Sequence, residues 1–149
     1  MEVKEILCAV DLEDTIAPSV EYAKMMASMT GASILVAYVI PAHTPYEDVY
    51  LSVNNQPNEV NNPNETIQKS MNALLAEQFA GMDATGVILV GRPSEELVKL
   101  AEEKGANLIV MGTHGRAGFD RLLFGSVAHE VVRAAPCPVM TVRPLMPKK

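Results

Sequence analysis

Five short apolar runs, separated by stretches long enough to hold a helix, constrain the fold of this chain more than any other feature. They lie at residues 6–10, 33–40, 86–90, 108–111 and 138–142. Unbroken apolar runs are typical of strands buried on both faces of a sheet, and the connections between them suit parallel pairing. The sequence therefore predicts one α/β domain over residues 1–149, a doubly wound parallel sheet of five strands with helices on both faces.

The composition fits a soluble globular protein and argues against several partners. Hydrophobic residues make up 48% and charged residues 20% of the chain, and the formal net charge is −6. A negative charge without a Lys/Arg run disfavours general binding to nucleic acid or to an anionic membrane. No signal peptide or membrane-spanning stretch is recognisable, so we expect a cytoplasmic protein. Cys8 and Cys137 suggest no disulfide framework and are expected to fill space in a reducing compartment.

Turn and capping residues delimit the first predicted helix. Asp14 or Thr15 is expected to cap its start, with Pro18 tolerated in the first turn. Gly31 is expected to end the helix, because glycine readily adopts the left-handed conformation of a helix C-terminus. Three methionines of this helix are expected to fill gaps in the core: Met25, Met26 and Met29.

The segment 41–63 is long for a connection inside a compact domain, and its second half is rich in asparagine and too polar to bury. We predict a polar, mobile insertion, with a lid over a ligand as the less favoured alternative. The next helix is expected to begin with Asn62 as its cap, Pro63 at the first helical position and Glu65 completing a capping box.

Residues 107–133 carry the strongest functional signal. Their apolar run leads through four glycines towards a helix that is expected to begin at Val127. Such a turn lets backbone N–H groups approach a ligand and ends at a positive helix N-terminus, which suits phosphate. Arg116, Arg121 and His114 could add positive charge. From the glycines alone a purely structural turn is equally expected, and the motifs G-x-x-x-x-G-K-[ST] and G-x-G-x-x-G are both absent.

The spacing of these glycines matches a known pattern. Gly112, Gly115, Gly125 and Ser126 spell G-x2-G-x9-G-[ST], and the match extends through Gly-Thr-His-Gly-Arg, Leu-Leu-Phe-Gly-Ser-Val-Ala and Ala-Pro-Cys-Pro-Val. On these motifs the chain resembles the universal stress proteins, specifically their ATP-binding branch. The resemblance covers the chain except for the polar insertion, and it implies the strand order 3-2-1-4-5.

The resemblance also implies an ATP-binding regulatory protein of the stress response. Asp11 and Val39 would contact the adenine and ribose, and the Ser126 hydroxyl would donate to a phosphate oxygen. Mg²⁺ would accompany the phosphates, and AMP is the alternative resting ligand. After Asp11 the chain reads Leu-Glu-Asp-Thr in place of the family's glycine and serine, whereas Gly91 matches a family glycine near the nucleotide. The expected nucleotide-binding residues are Asp11, Val39, Met111, Gly112, Gly115, Arg116, Gly125, Ser126 and Val127.

An enzyme on the same broad fold is the competing interpretation. Nucleotidyltransferases and ATP pyrophosphatases carry H-x-G-H or S-G-G-x-D-S after the first strand, and neither motif is present. Glu13, Asp14 and His114 form no pair with the spacing of an activated nucleophile or base, and the histidines lack metal-ligand spacing. We therefore predict binding without catalysis, with at most a slow ATPase background. A scaffold that binds no nucleotide is disfavoured by the intact glycine motif.

The last predicted strand, Val139–Val142, indicates an assembly. By resemblance it lies at a sheet edge, where unpaired N–H and C=O groups are open to another strand. The strand is apolar apart from Thr141, so charge does not protect it. We predict that it pairs antiparallel with the same strand of a second copy across a two-fold axis, forming the homodimer that the resemblance also implies.

Overall fold

Five strands and four helices alternate along the part of the chain that the structure describes. A computed structural model describes residues 2–12, 17–41, 63–113 and 121–143. The elements are β1 (Glu5–Ala9), α1 (Pro18–Thr30), β2 (Ser33–Pro41), α2 (Pro63–Gln78), β3 (Ala84–Gly91), α3 (Pro93–Lys104), β4 (Leu108–Gly112), α4 (Arg121–Ala134) and β5 (Val139–Val142).

The strands form one parallel sheet in the order β3-β2-β1-β4-β5, which confirms the predicted fold class and strand order. The central strand β1 pairs with both neighbours, placing Leu7 opposite Leu35 of β2 and Ile109 of β4. The chain winds outward from β1 to β3 and then continues on the other side of β1. This reversal leaves a crevice at the carboxyl ends of β1 and β4, where open α/β sheets bind ligands.

Side chains of each strand alternate between two cores, one on each face of the sheet. In β1, Ile6 and Cys8 belong to the first core, whereas Leu7 and Ala9 belong to the second. Burial on both faces explains why the strands read as unbroken apolar runs. Helices α1 and α2 contribute Val20, Ala23, Ala27, Met71 and Leu74 to the first core, and α3 and α4 contribute Leu97, Leu100, Ala101, Ala128 and Val131 to the second.

Helix α1 ends as predicted but begins differently. Gly31 has a φ of 77°, and its N–H donates a hydrogen bond of 2.8 Å back into the last turn. At the start, the capping position is Ala17, whose side chain cannot accept a hydrogen bond. The predicted cap at Asp14 or Thr15 is therefore wrong. The next residue, Pro18, has no N–H to cap, and its fixed φ already suits the first helical position.

The prediction that the methionines of α1 fill the core is right only for Met26, which packs against the first core. Met25 is 45% exposed and Met29 is 73% exposed, as is Tyr22 at 46%. Small buried side chains such as Ala23 bring α1 close to the sheet. Long side chains at neighbouring positions therefore find no space beneath the helix and lie along its side.

The elements on either side of the predicted insertion have well-defined limits. Strand β2 extends to Pro41, and α2 begins at Pro63 as predicted. The insertion at 41–63 overlaps the described residues only at these two prolines. Residues 42–62, including the expected cap Asn62, lie outside the described residues.

Candidate functional site

The carboxyl ends of β1 and β4 bring a carboxylate and a glycine-containing turn together. Cys8 of β1 pairs with Val110 of β4, and Asp11 and Thr113 each lie three residues beyond that pair. Asp11 is half-buried in the turn after β1. The Val10 N–H donates to a carbonyl of β2 at 2.9 Å, which holds this turn against the neighbouring strand. A polar group is thereby fixed at the rim of the crevice.

Val39 and Met111 lie beside this rim but belong to the protein interior. Val39 is 8% exposed and Met111 is 0% exposed, and both side chains are part of the second core. Val127 of α4 packs against the same core. Three of the expected site residues thus pack on the same face of the sheet, and the side chains of Val39 and Met111 are occupied in this packing. A ligand in the crevice would meet mainly their backbone atoms.

Thr113 fixes the end of β4, where sequence reasoning assigned it no role. Its N–H donates to the Val142 carbonyl of β5 at 3.0 Å, and its hydroxyl donates to the same oxygen at 3.5 Å. Gly112, the residue before it, is half-buried at the last position of β4. A polar residue directly after a buried strand on the ligand-binding edge is the signal that could have drawn attention to Thr113.

Helix α4 begins at Arg121, so the expected start at Val127 is wrong. Gly125 and Ser126 consequently lie in the second turn, where backbone N–H groups bond to carbonyls four residues earlier. The N–H groups of α4 that have no partner within the helix are those of its first four residues. Glycine costs only about 1 kcal/mol in a helix interior, which is too little to stop a helix that packs against a core. Ser126 is exposed.

The remaining loop residues of the expected site lie outside the described residues. These are Gly115 and Arg116, together with His114. Asp11, Val39, Met111 and Gly112 are brought together at the carboxyl edge. Gly125, Ser126 and Val127 follow on α4, which covers the second core beside that edge.

Gly91 has a backbone explanation that does not require a ligand. Its φ is 153°, a conformation that side chains rarely adopt, and a Cβ placed there would lie 2.8 Å from Cγ and Oε1 of Glu96. The turn from β3 into α3 therefore requires a glycine, whatever its relation to the nucleotide implied by the resemblance.

A groove of about 360 Å³ between α3 and α4 is chemically unsuited to phosphate. The Ser94 hydroxyl donates a hydrogen bond to the Glu130 carboxylate and links the two helices. Three carboxylates face a single lysine in the groove, so its charge would repel a nucleotide. Sequence reasoning did not single out this link, because 36 residues separate its partners. The lining residues are Ser94, Glu95, Val98, Lys99, Glu102, Glu130 and Ala134.

The described ranges hold neither a cluster of metal ligands nor a membrane-spanning helix. There, no three His, Cys, Asp or Glu side chains converge as a metal ion would need. None of the helices in the same ranges combines the length and apolar character needed to cross a membrane.

The fold and the crevice define an α/β protein of the class that binds ligands where the winding of a parallel sheet reverses. The sequence pattern of the universal stress protein family matches residues 2–143. The chain belongs to the universal stress protein family.

Individual relatives agree with this assignment. A universal stress protein of Thermus aquaticus is 33% identical over 148 residues, covering 94% of this chain and 98% of the relative. One from Methanocaldococcus jannaschii is 28% identical and covers 94% of both chains, and its solved structure superimposes with a TM-score of 0.77 over 99% of this chain and all of the other. The structure of an Archaeoglobus fulgidus universal stress protein in complex with dAMP is 25% identical, with a TM-score of 0.57 over 95% of this chain and 98% of the other.

Proposed function

We propose that this protein binds ATP in the crevice between β1 and β4 and acts as a nucleotide-dependent regulator of the stress response. The observation that carries this proposal is the meeting of the Asp11 carboxylate and the Gly112 turn at the reversal of the sheet. The relative solved with dAMP supports an adenine nucleotide as the ligand class. The glycine spacing from Gly112 to Gly125 supports phosphate in the following loop.

In this proposal Asp11 accepts hydrogen bonds from the ribose or adenine, and the base lies against the backbone at Val39. Gly112 and Gly115 have no side chains, so the phosphates can approach the loop backbone closely. The exposed Ser126 hydroxyl donates to a phosphate oxygen. Arg116 offsets the negative charge that ATP adds to an acidic protein. The N–H groups in the first turn of α4, which have no partner within the helix, add a favourable electrostatic contribution.

Mg²⁺ would enter with the nucleotide. Among the crevice residues that the structure describes, Asp11 supplies the only carboxylate, and Mg²⁺ is commonly held by one or two carboxylates, phosphate oxygens and water. The donor set therefore fits a cation bound mainly through the phosphates. Binding with no more than background hydrolysis remains our expectation for the reaction, as the sequence supplies no recognisable general base.

We also propose a homodimer formed by antiparallel pairing of β5 with its copy. Among the described strands, β5 lies at an edge of the sheet and pairs only with β4. Thr141 of β5 and Arg143 directly after it are exposed, and Val139 and Met140 are only partly buried. Such an edge has backbone groups available to extend the sheet into a second copy.

Calorimetric titration with ATP and Mg²⁺ tests the nucleotide site. Replacing Asp11 with alanine should weaken binding about ten- to a hundred-fold, because a hydrogen bond to a charged group contributes about 1.5–3 kcal/mol. Gly115→Val should block approach of the phosphates. Asp83→Ala is the matched control. Asp83 is an exposed carboxylate directly before β3, at the amino ends of the strands and away from the crevice, where it accepts a 2.6 Å hydrogen bond from Ser33.

The control should bind ATP as tightly as the wild type, and titration with AMP will establish which nucleotide binds more tightly. If Asp11→Ala and Gly115→Val both fold and retain wild-type affinity, the nucleotide site lies elsewhere.

A further inference from the structure

Helix α1 carries an exposed apolar stripe formed by Tyr22, Met25 and Met29. Their exposed fractions are 46%, 45% and 73%. The spacings of three and four residues place these side chains on one side of the helix. Large apolar side chains concentrated on one side of a helix often mark a contact surface. The stripe is therefore a candidate surface for a partner.

The handedness of the fold determines which way the stripe faces. The crossover from β1 through α1 to β2 is right-handed, and α1 runs antiparallel to the strands. Seen from the start of the helix with the sheet above, positions advance clockwise by about 100° per residue. In this view, side chains that lie clockwise of the buried Ala23 face β2, and side chains that lie counter-clockwise of it face β4 and β5. Tyr22 lies about 100° and Met29 about 120° counter-clockwise of Ala23, on the β5 side, whereas Met25, about 160° from Ala23, points mainly away from the sheet.

Packing agrees with this direction. Helix α1 contacts β5 as well as β4, and Met140 and Val142 of β5 belong to or pack against the same core as Met26. On the other face of the sheet, Val132 of α4 is 54% exposed. Seen from the start of α4 with the sheet above, Val132 lies about 100° clockwise of the buried Val131. In the right-handed β4–α4–β5 crossover this direction is the β5 side. The β5 edge is thus flanked by exposed apolar side chains on both faces.

The partner that fits this arrangement is a second copy of the chain. A four-residue strand is about 14 Å long and its sheet about 10 Å thick, so its edge alone presents on the order of 150 Å². Stable interfaces bury about 800 Å² per partner. Antiparallel pairing of β5 with its copy requires a two-fold axis perpendicular to the sheet, which keeps each face on its own side. The α1 stripe then faces its own copy, and Val132 faces its own copy.

We propose that the α1 stripe, the β5 edge and Val132 form one self-complementary interface with a second copy. This inference rests on the proposed homodimer and adds that helix side chains, in addition to strand pairing, supply its affinity. Sedimentation equilibrium of the full chain measures the dimer dissociation constant directly. Tyr22→Glu combined with Met29→Glu should raise that constant at least about tenfold, since apolar burial is lost and like charges meet across the axis.

Val90→Glu is the matched control, because Val90 is 58% exposed on β3 at the opposite edge of the sheet. It should leave the dissociation constant unchanged. Val132→Glu should weaken the dimer as the α1 variant does, which tests the other face. Circular dichroism confirms folding, and ATP titration should give wild-type affinity in every variant.

The outcomes separate the two proposals. If the wild type and the α1 glutamate variant have the same dimer dissociation constant, the role of the stripe is overturned while strand pairing stays intact. A wild type that is monomeric at micromolar concentration would overturn both the dimer and the stripe, without affecting the nucleotide site. Equal weakening by Val90→Glu would show that the effect is not specific to the β5 edge and would also overturn the inference.

Discussion

Cys8 lies at the centre of the sheet with none of its surface exposed, and burial raises the pKa of its thiol to about 12 from an ordinary value of 9.0. Cys137 is half-buried, and burial raises the pKa of its thiol as well. Both cysteines are free. Cys8 packs in the first core, which agrees with the expected space-filling role. A neutral buried thiol stabilises the fold as a small apolar group.

The raised pKa of Cys8 predicts a specific loss of stability in alkali. Between about pH 9 and 12 the thiol ionises in the unfolded chain but stays protonated in the native one, so the native state binds more protons. The contribution of Cys8 is therefore complete below pH 9 and declines above it, by at most about 1.4 kcal/mol per pH unit. Urea unfolding of the wild type and Cys8→Ala at several pH values measures this decline as the difference between them.

Cys137→Ala serves as the control, and its difference from the wild type should depend less on pH because Cys137 is less buried. A Cys8 difference that stays constant up to pH 10.5 would contradict the expected shift.

At the scale of elements, Gly86 is where α2 packs onto β3. A Cβ at this position would lie 2.6 Å from Cγ and 2.9 Å from Sδ of Met71, and 3.1 Å from a methyl carbon of Leu75. Met71 is fully buried in the first core, so its side chain has little freedom to move aside. The helix can therefore lie this close to the strand only because residue 86 has no side chain.

Gly86→Ala should lower the free energy of unfolding by about 1–3 kcal/mol, because the added methyl overpacks this contact. The same substitution in a Met71→Ala background should cost less, since the smaller side chain makes room. Chemical denaturation of the four proteins gives the coupling energy between the two positions. Equal costs of Gly86→Ala in both backgrounds would exclude Met71 as the cause.

Element by element, the sequence predicts what local physics determines. Strands buried on both faces must be apolar, so all five strands were found, and Gly31 and Pro63 were correctly recognised as helix limits. The start of α4 was missed because the cost of Gly125 in a helix interior, about 1 kcal/mol, is too small to stop a helix that packs against a core. The exposure of Met25 and Met29 was missed because apolar character does not say which side of a helix meets the sheet.

The candidate site depends on contacts that no local pattern contains. The β1–β4 pairing that brings Asp11 towards Gly112 joins segments about a hundred residues apart. The same separation is bridged at the amino ends of these strands, where the Asn107 side chain accepts a hydrogen bond of 2.7 Å from the Lys4 N–H. Strand order came from the resemblance and is confirmed by the structure. The roles of Gly115 and Arg116 stay predictions, since both lie outside the described residues.

At the scale of the whole molecule, the two cores share the same strands, so neither core is expected to unfold without the other. Adjacent residues of β1 and of β4 point into opposite cores, so loss of either core removes support from strands that the other core needs. A single cooperative unfolding transition is the expected consequence, as for most domains of this size. A single transition is therefore what the prediction of one domain over residues 1–149 means in physical terms.

A matched pair of substitutions tests that cooperativity. Ile6 is fully buried in the first core and Ile109 is fully buried in the second, so isoleucine-to-valine removes the same methylene group from opposite faces. Each substitution should cost about 0.5–1.5 kcal/mol. Each should shift one transition, seen identically by far-ultraviolet circular dichroism and by tyrosine fluorescence, at fixed protein concentration because dimerisation would add a concentration dependence. Separate transitions, with only one moving in each variant, would mean that the two faces of the sheet unfold independently.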